Sequence, residues 1–248
     1  MFRKIVIIGA TSSIAEHCAR NWVATESVDL ILVGRDLQRV ERVAADLRVR
    51  SPTSRIRSVK ANFSTPDAIF DTVHALVTES VPDIVLIAHG SLPDQKACQH
   101  NLQLVNEALG INGISSVLFA EAFATSMEEV GHGTIAIIGS VAGDRGRKTN
   151  YIYGAAKGLV ARYAEGLQHR LAAKGVIVVL IKPGPTDTPM TADLKSRGAR
   201  LASVEKVAKK VVEGIHSGRS TIYVPGKWRW IMLVIRNLPA FVFNKLNI

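Results

Sequence analysis

Lys4-Ile5-Val6-Ile7-Ile8-Gly9-Ala10-Thr11-Ser12-Ser13-Ile14-Ala15 carries four consecutive β-branched residues into a glycine and then a run of small residues. The apolar run has the length of one strand buried on both faces, and helical periodicity begins at Ser13. The stretch therefore reads as strand, tight turn and helix. A small-residue turn at that junction lets backbone N–H groups and a helix N-terminus approach a pyrophosphate. Gly9, Thr11, Ser12, Ser13 and Ile14 are its candidate contacts. Ser13 and Ala15 stand where such loops carry glycine, so the turn alone also fits a plain strand–helix connection.

Outward from this unit the same alternation repeats. Residues 29–33, 55–60, 83–88, 133–139, 176–181 and 220–224 join 4–8 as predicted strands. Residues 13–24, 37–49, 66–80, 95–128, 153–173 and 203–217 have helical period. Alternating elements with continuous apolar strands predict an α/β fold. We expect a Rossmann-type, doubly wound, seven-stranded and mainly parallel sheet covered by helices on both faces. One catalytic domain is expected over residues 1–227, with residues 228–248 as a basic and aromatic tail rather than a second domain.

The bulk numbers fit one globular domain: 248 residues, 47% hydrophobic and 21% charged. Cys18 and Cys98 have no metal-type spacing, and the seven histidines form no HxH or HxxxH pair, so neither a disulfide framework nor a metal site is expected. Met1 to Lys4 is too short for a signal peptide, which points to a cytoplasmic protein. The net charge of +10 suits an anionic substrate, a membrane surface or nucleic acid. Helix-turn-helix, RNP and zinc-finger patterns are all absent, so nucleic acid is not expected.

Tyr153-Gly154-Ala155-Ala156-Lys157 carries the chemistry. A Tyr and a Lys at i and i+4 share one helix face. A nearby ammonium favours phenolate and is expected to draw the Tyr153 pKa down from its ordinary value of about 10. Ser140 closes a predicted strand, where open α/β sheets bind ligands. Gly34 and Arg35 end the second strand without the carboxylate that grips the ribose of NAD, so NADPH is favoured over NADH. Asp36 is assigned to capping the next helix. Asn62 and Phe63, after the third strand, are placed against the adenine, with an ordinary turn as the other role of Asn62.

Together these residues resemble the short-chain dehydrogenase/reductase family over nearly the whole chain. The resemblance implies Ser140, Tyr153 and Lys157 as the catalytic set and Asn112 as the residue positioning a proton-relay water. It also implies that Pro183, Gly184, Thr186 and Thr188 cover the nicotinamide. Ala88-His89-Gly90 stands where the family has NNAG, with Ala88 in place of the second Asn and His89 in place of the Ala. His89 reads as a satisfied loop histidine. The family also implies a homo-oligomer.

Residues 143–154 and the ending from Tyr223 to Ile248 are similar to the polyprenylphosphoryl-2-ketoribose reductases of cell-wall arabinan synthesis. That resemblance implies a lipid-phosphate-linked keto-sugar substrate, a flavin oxidase partner and a place on the inner face of the cell membrane. Arg145, Arg147 and Lys148 would then present cations to a phosphate, or else form a solvated loop, and Tyr151 would line the substrate or pack. The tail from Trp228 to Phe243 has paired Trp residues beside basic ones and no acid from Gly214 onward. It fits a membrane interface, and equally a lid or subunit contact. The rival readings are reduction of a nucleotide-sugar, acyl or sterol ketone, and a dinucleotide-binding sensor or scaffold without turnover.

Overall fold

A computed structural model describes residues 2–246; Met1, Asn247 and Ile248, the end of the predicted tail, lie outside the described residues. Seven parallel strands form one sheet in the order β3-β2-β1-β4-β5-β6-β7. They are β1 Arg3–Ile8, β2 Val28–Gly34, β3 Arg55–Lys60, β4 Ile84–Ile87, β5 Gly133–Ile138, β6 Val176–Pro183 and β7 Thr221–Val224. All seven predicted strands are present, and the sheet is wholly parallel.

The two-residue period of β1 divides the core. Ile5 and Ile7 point to the side covered by α1 (Ser13–Thr25), α2 (Leu37–Arg50) and α9 (Val204–His216). Val6 and Ile8 point to the side covered by α3 (Pro66–Val77), α6 (Ser115–Val130) and α7 (Tyr151–Leu171). Phe119 and Phe123 of α6 are fully buried, and each such side chain stabilises the fold by roughly 1.5–3 kcal/mol.

The single helix expected over 95–128 is broken. It is α4 (Gln95–Gln99), α5 (Leu102–Leu109), a π turn at Gly110–Ile114, and then α6. Asn101 causes the first break, because its side chain accepts from Gln103 N at 2.9 Å and Leu104 N at 3.3 Å and starts a new helix. The stretch Leu102–Val130 is long and apolar enough to cross a membrane, yet Phe119, Ala120, Phe123 and Met127 lie in the sheet-facing core.

The tail forms α10 (Lys227–Asn237) and α11 (Ala240–Phe243), after a short α8 (Ala192–Ser196) that precedes α9. Trp228 packs so closely on Gly184 that a Cβ there would lie 1.9 Å from the indole Nε1.

Candidate active site

The strands' carboxyl ends open onto a cavity of about 380 Å³, at the switch point where β1 and β4 run side by side. The first turn supplies one wall through Gly9, Thr11, Ser12, Ser13 and Ile14. Gly9 has φ +84°, and a Cβ there would lie 2.6 Å from His89 N and Cβ. Glycine is therefore needed for the β1 turn to pass the β4 loop. Ser12 precedes α1 without a side-chain cap, which leaves the helix's first amides and its dipole facing the cavity as an anion cradle.

Just after β2, Arg35 lines the cavity, and Arg39, in the first turn of α2, lines it as well. The sequence motifs do not reach Arg39, which carries no signal beyond a second basic residue shortly after Arg35. Asp36 accepts from Arg39 N at 3.2 Å and caps α2, as expected. Phe63 also lines the cavity. Asn62 does not: its Oδ1 accepts from Ser64 N at 2.9 Å, the ordinary turn role.

Ala88, His89 and Gly90 all reach the cavity. The His89 ring stands edge-on to Phe63 and Phe119, with Nε2 3.1 Å from Ser115 Oγ. Burial pulls its pKa down to about 3, so it is neutral, and the expected satisfied histidine is only half satisfied, because the buried Nδ1 has no partner among the described residues.

Ser140, Tyr153 and Lys157 converge on the cavity. Ser140 leaves β5 and its Oγ accepts from Ala142 N at 3.1 Å, fixing the hydroxyl at the strand end. Tyr153 and Lys157 share the inner face of α7, with the ammonium 5.9 Å from the Tyr153 ring centre. Lys157 Nζ donates to Ile138 O at 3.0 Å, and burial lowers its pKa to about 8. Contrary to the expectation from the i, i+4 ammonium, Tyr153 does not move below its ordinary value. Burial pushes Tyr153 above its ordinary value and outweighs the opposing pull of the Ser140 hydroxyl. The phenol is thus held protonated at neutral pH, the form that can donate.

Asn112 is fully buried in the π turn and does not line the cavity. Its Oδ1 accepts from Ser91 N at 2.8 Å and its Nδ2 donates to Ala108 O at 2.9 Å. A Cβ on Gly90 would sit 2.9 Å from that Oδ1 and 3.7 Å from Lys157 Nζ, so Asn112 and Lys157 flank one backbone position.

Pro183, Gly184, Thr186 and Thr188 follow β6 and line the cavity. Arg147 and Asn150 line it too, and among the described residues neither the buried Arg147 Nε nor the buried Asn150 Oδ1 has a partner. Burial lowers the Arg147 pKa, with Asp144 opposing. Leu92, Met190 and Leu194, all partly exposed, add an apolar border that was not foreseen.

Two expected substrate contacts are elsewhere. Arg145 turns to the tail: its Nη1 donates to Ile235 O at 2.5 Å and Leu238 O at 2.7 Å, and its guanidinium lies 3.8 Å from the centre of the Phe243 ring. Unsatisfied carbonyls at the end of α10 attract it more strongly than open solvent. Tyr151 is exposed at the first turn of α7 and does not line the cavity, because two residues along a helix point about 200° apart.

A family model described as short chain dehydrogenase matches residues 3–198. An uncharacterized oxidoreductase of Streptomyces coelicolor is 28% identical over 246 residues, covering 98% of this chain and 96% of its own. A short-chain dehydrogenase from Sphingobium yanoikuyae, solved in complex with NADPH, superposes with a TM-score of 0.82 at 23% identity, covering 96% of this chain and 97% of that one. A short chain dehydrogenase from Burkholderia cenocepacia, solved with NADP, gives a TM-score of 0.83 at 15% identity, covering 100% and 98%.

Proposed function

This chain belongs to the short chain dehydrogenase family, and from that premise we propose that it uses NADPH to reduce the ketone of a polyprenyl-phosphate-linked keto-sugar. At the coarser level it is a nicotinamide-dependent oxidoreductase that interconverts a keto and a hydroxyl group. The cavity fits a dinucleotide: Gly9 lets the first turn pass close to the β4 loop, the uncapped α1 N-terminus suits a pyrophosphate, and Arg35 and Arg39 suit a 2′-phosphate. Two structural neighbours solved with NADPH or NADP agree with that preference. When bound, the reduced nicotinamide supplies the hydride.

In this reading the chain's own groups manage the carbonyl oxygen. Ser140 Oγ hydrogen-bonds it, and Tyr153 Oη donates a proton to it as negative charge develops. The Lys157 ammonium stabilises the tyrosinate left behind. Asn112 holds the Ser91 amide and the π turn beside Lys157, where a relay water would return the proton.

Arg147 is the observation that carries the substrate class. A half-buried guanidinium, its buried Nε without a partner among the described residues, lines the same cavity as the apolar side chains of Leu92, Met190 and Leu194. A cation short of partners beside apolar surface suits a phosphate attached to a hydrocarbon chain. The ketone would come from a preceding flavin-dependent oxidation of the same sugar, and the reaction would take place at the cytoplasmic face of the membrane.

Two measurements test this. Arg147→Met should raise KM for a phosphate-bearing ketone by about 10–100-fold while leaving a neutral analogue within about threefold. Equal effects on both ketones would discard the phosphate. For the cofactor, Arg35→Ala with Arg39→Ala should weaken NADPH by about 10–100-fold and NADH by less than about threefold. A native protein that binds NADH more tightly would reverse the cofactor assignment.

A further inference from the structure

We propose that the outward face of α10, continued by α11, docks this protein onto bilayers rich in anionic phospholipid. The inner face of α10 is spoken for. Met232 is fully buried and touches Arg147 Nη2 through its sulfur at 3.6 Å, and Trp228 closes on Gly184. Arg145 ties the end of the helix down through the carbonyls of Ile235, Arg236 and Leu238. With that face fixed, the 100° step of the helix sets Trp230, Leu233 and Val234 opposite it. Those three are 67%, 51% and 62% exposed, and Phe241 of α11 is 72% exposed.

The charges around this apolar face select the occupant. Lys227, Arg229, Arg236 and Lys245 are all exposed, and from Gly214 to the end of the chain there is no Asp or Glu. A second copy packed face to face would bring these cations against their own equivalents with no Asp or Glu side chain from the segment to neutralise them. An anionic lipid surface meets both features at once, taking the Trp, Leu and Val side chains into the interface and the Lys and Arg groups onto its phosphates. The helix has 11 residues, roughly 16 Å of length, too short to cross a bilayer, so it lies along the surface. Because Trp228 and Met232 touch cavity-lining residues, docking holds the cavity one helix width from the lipid. This goes beyond the substrate assignment and rests on the surface of the tail alone.

Co-sedimentation of the full chain with vesicles tests it. The native protein should pellet with equimolar phosphatidylglycerol and phosphatidylcholine, and at least about tenfold less with phosphatidylcholine alone. Trp230→Ser, Leu233→Ser and Val234→Ser combined should reduce partition at least about tenfold with an unchanged melting temperature, since all three side chains are exposed. Lys227→Glu with Arg229→Glu, which leaves the apolar face intact, should abolish only the preference for anionic lipid. Native protein remaining in the supernatant with both vesicle types overturns the proposal, as does undiminished pelleting of the triple serine variant. If the native protein ignores vesicles and the serine variant turns an oligomer into a monomer, the face belongs to a second copy instead.

Discussion

Tyr153→Phe is expected to lower kcat for ketone reduction by about 10²–10⁴-fold while the Kd for the dinucleotide stays within about threefold. The substitution removes one oxygen from the cavity wall and leaves α7, Ser140 and Lys157 where they are. The loss therefore falls on proton delivery rather than on binding. The pH profile should identify the neighbour that matters. Burial holds the Tyr153 phenol above its ordinary value, so its proton is present throughout the neutral and mildly alkaline range. Lys157, lowered to about 8, loses its charge first as pH rises, and with it the ammonium that stabilises the developing tyrosinate. Reduction should be flat at neutral pH and decline on the alkaline side near that value. Lys157→Arg keeps its charge over the whole range, so whatever activity it retains should show no such decline. Full turnover by Tyr153→Phe, or a native profile level through the titration of Lys157, would remove this assignment of roles.

The strand plan was legible because the central strands β1, β2, β4 and β6 are short, β-branched-rich runs buried on both faces, a signal that survives without tertiary knowledge. The edge strand β3 (Arg55–Lys60) shows only partial burial. The i, i+4 pair of Tyr153 and Lys157 was legible for a similar reason, since helix geometry alone puts both on one face. What failed needed three-dimensional competition to decide it. Asn101 has the polar side chain of a helix start, yet the surrounding apolar period hid the break. Arg145 and Arg147 are two residues apart in one basic loop, and sequence gave no way to separate them. The carbonyl ends of α10 took the first, and the cavity took the second. The direction of the Tyr153 shift was misjudged because a sequence shows the neighbouring charge but not the desolvation that outweighs it. Leu92, Met190 and Leu194 carry no motif and meet only at the cavity border.

Asp144→Ala is expected to cost about 3–5 kcal/mol and to lower the melting temperature by about 10 °C. Asp144 Oδ1 accepts from Lys182 Nζ at 2.6 Å, and the two side chains are only 2% and 5% exposed. Its Oδ2 accepts from Tyr223 Oη at 2.8 Å. Lys182 and Tyr223 are register partners on β6 and β7, so one carboxylate ties the loop after Ser140 to two adjacent strands. Burial, reinforced by Asp144, pushes the Tyr223 phenol up to about 12, which keeps it a donor to the carboxylate. Removing Asp144 strands the Lys182 ammonium in a dry site and leaves the Tyr223 hydroxyl without its acceptor, and it is this desolvated charge that makes the loss large. The same reasoning predicts a recovery. Asp144→Leu combined with Lys182→Met removes both charges, and its melting temperature should regain at least half of the loss, as buried pairs replaced by apolar groups often do. A single variant that melts with the native protein would mean that the pair is solvated in solution. A double variant no more stable than Asp144→Ala would shift the cost from the stranded charge to the loop contacts themselves.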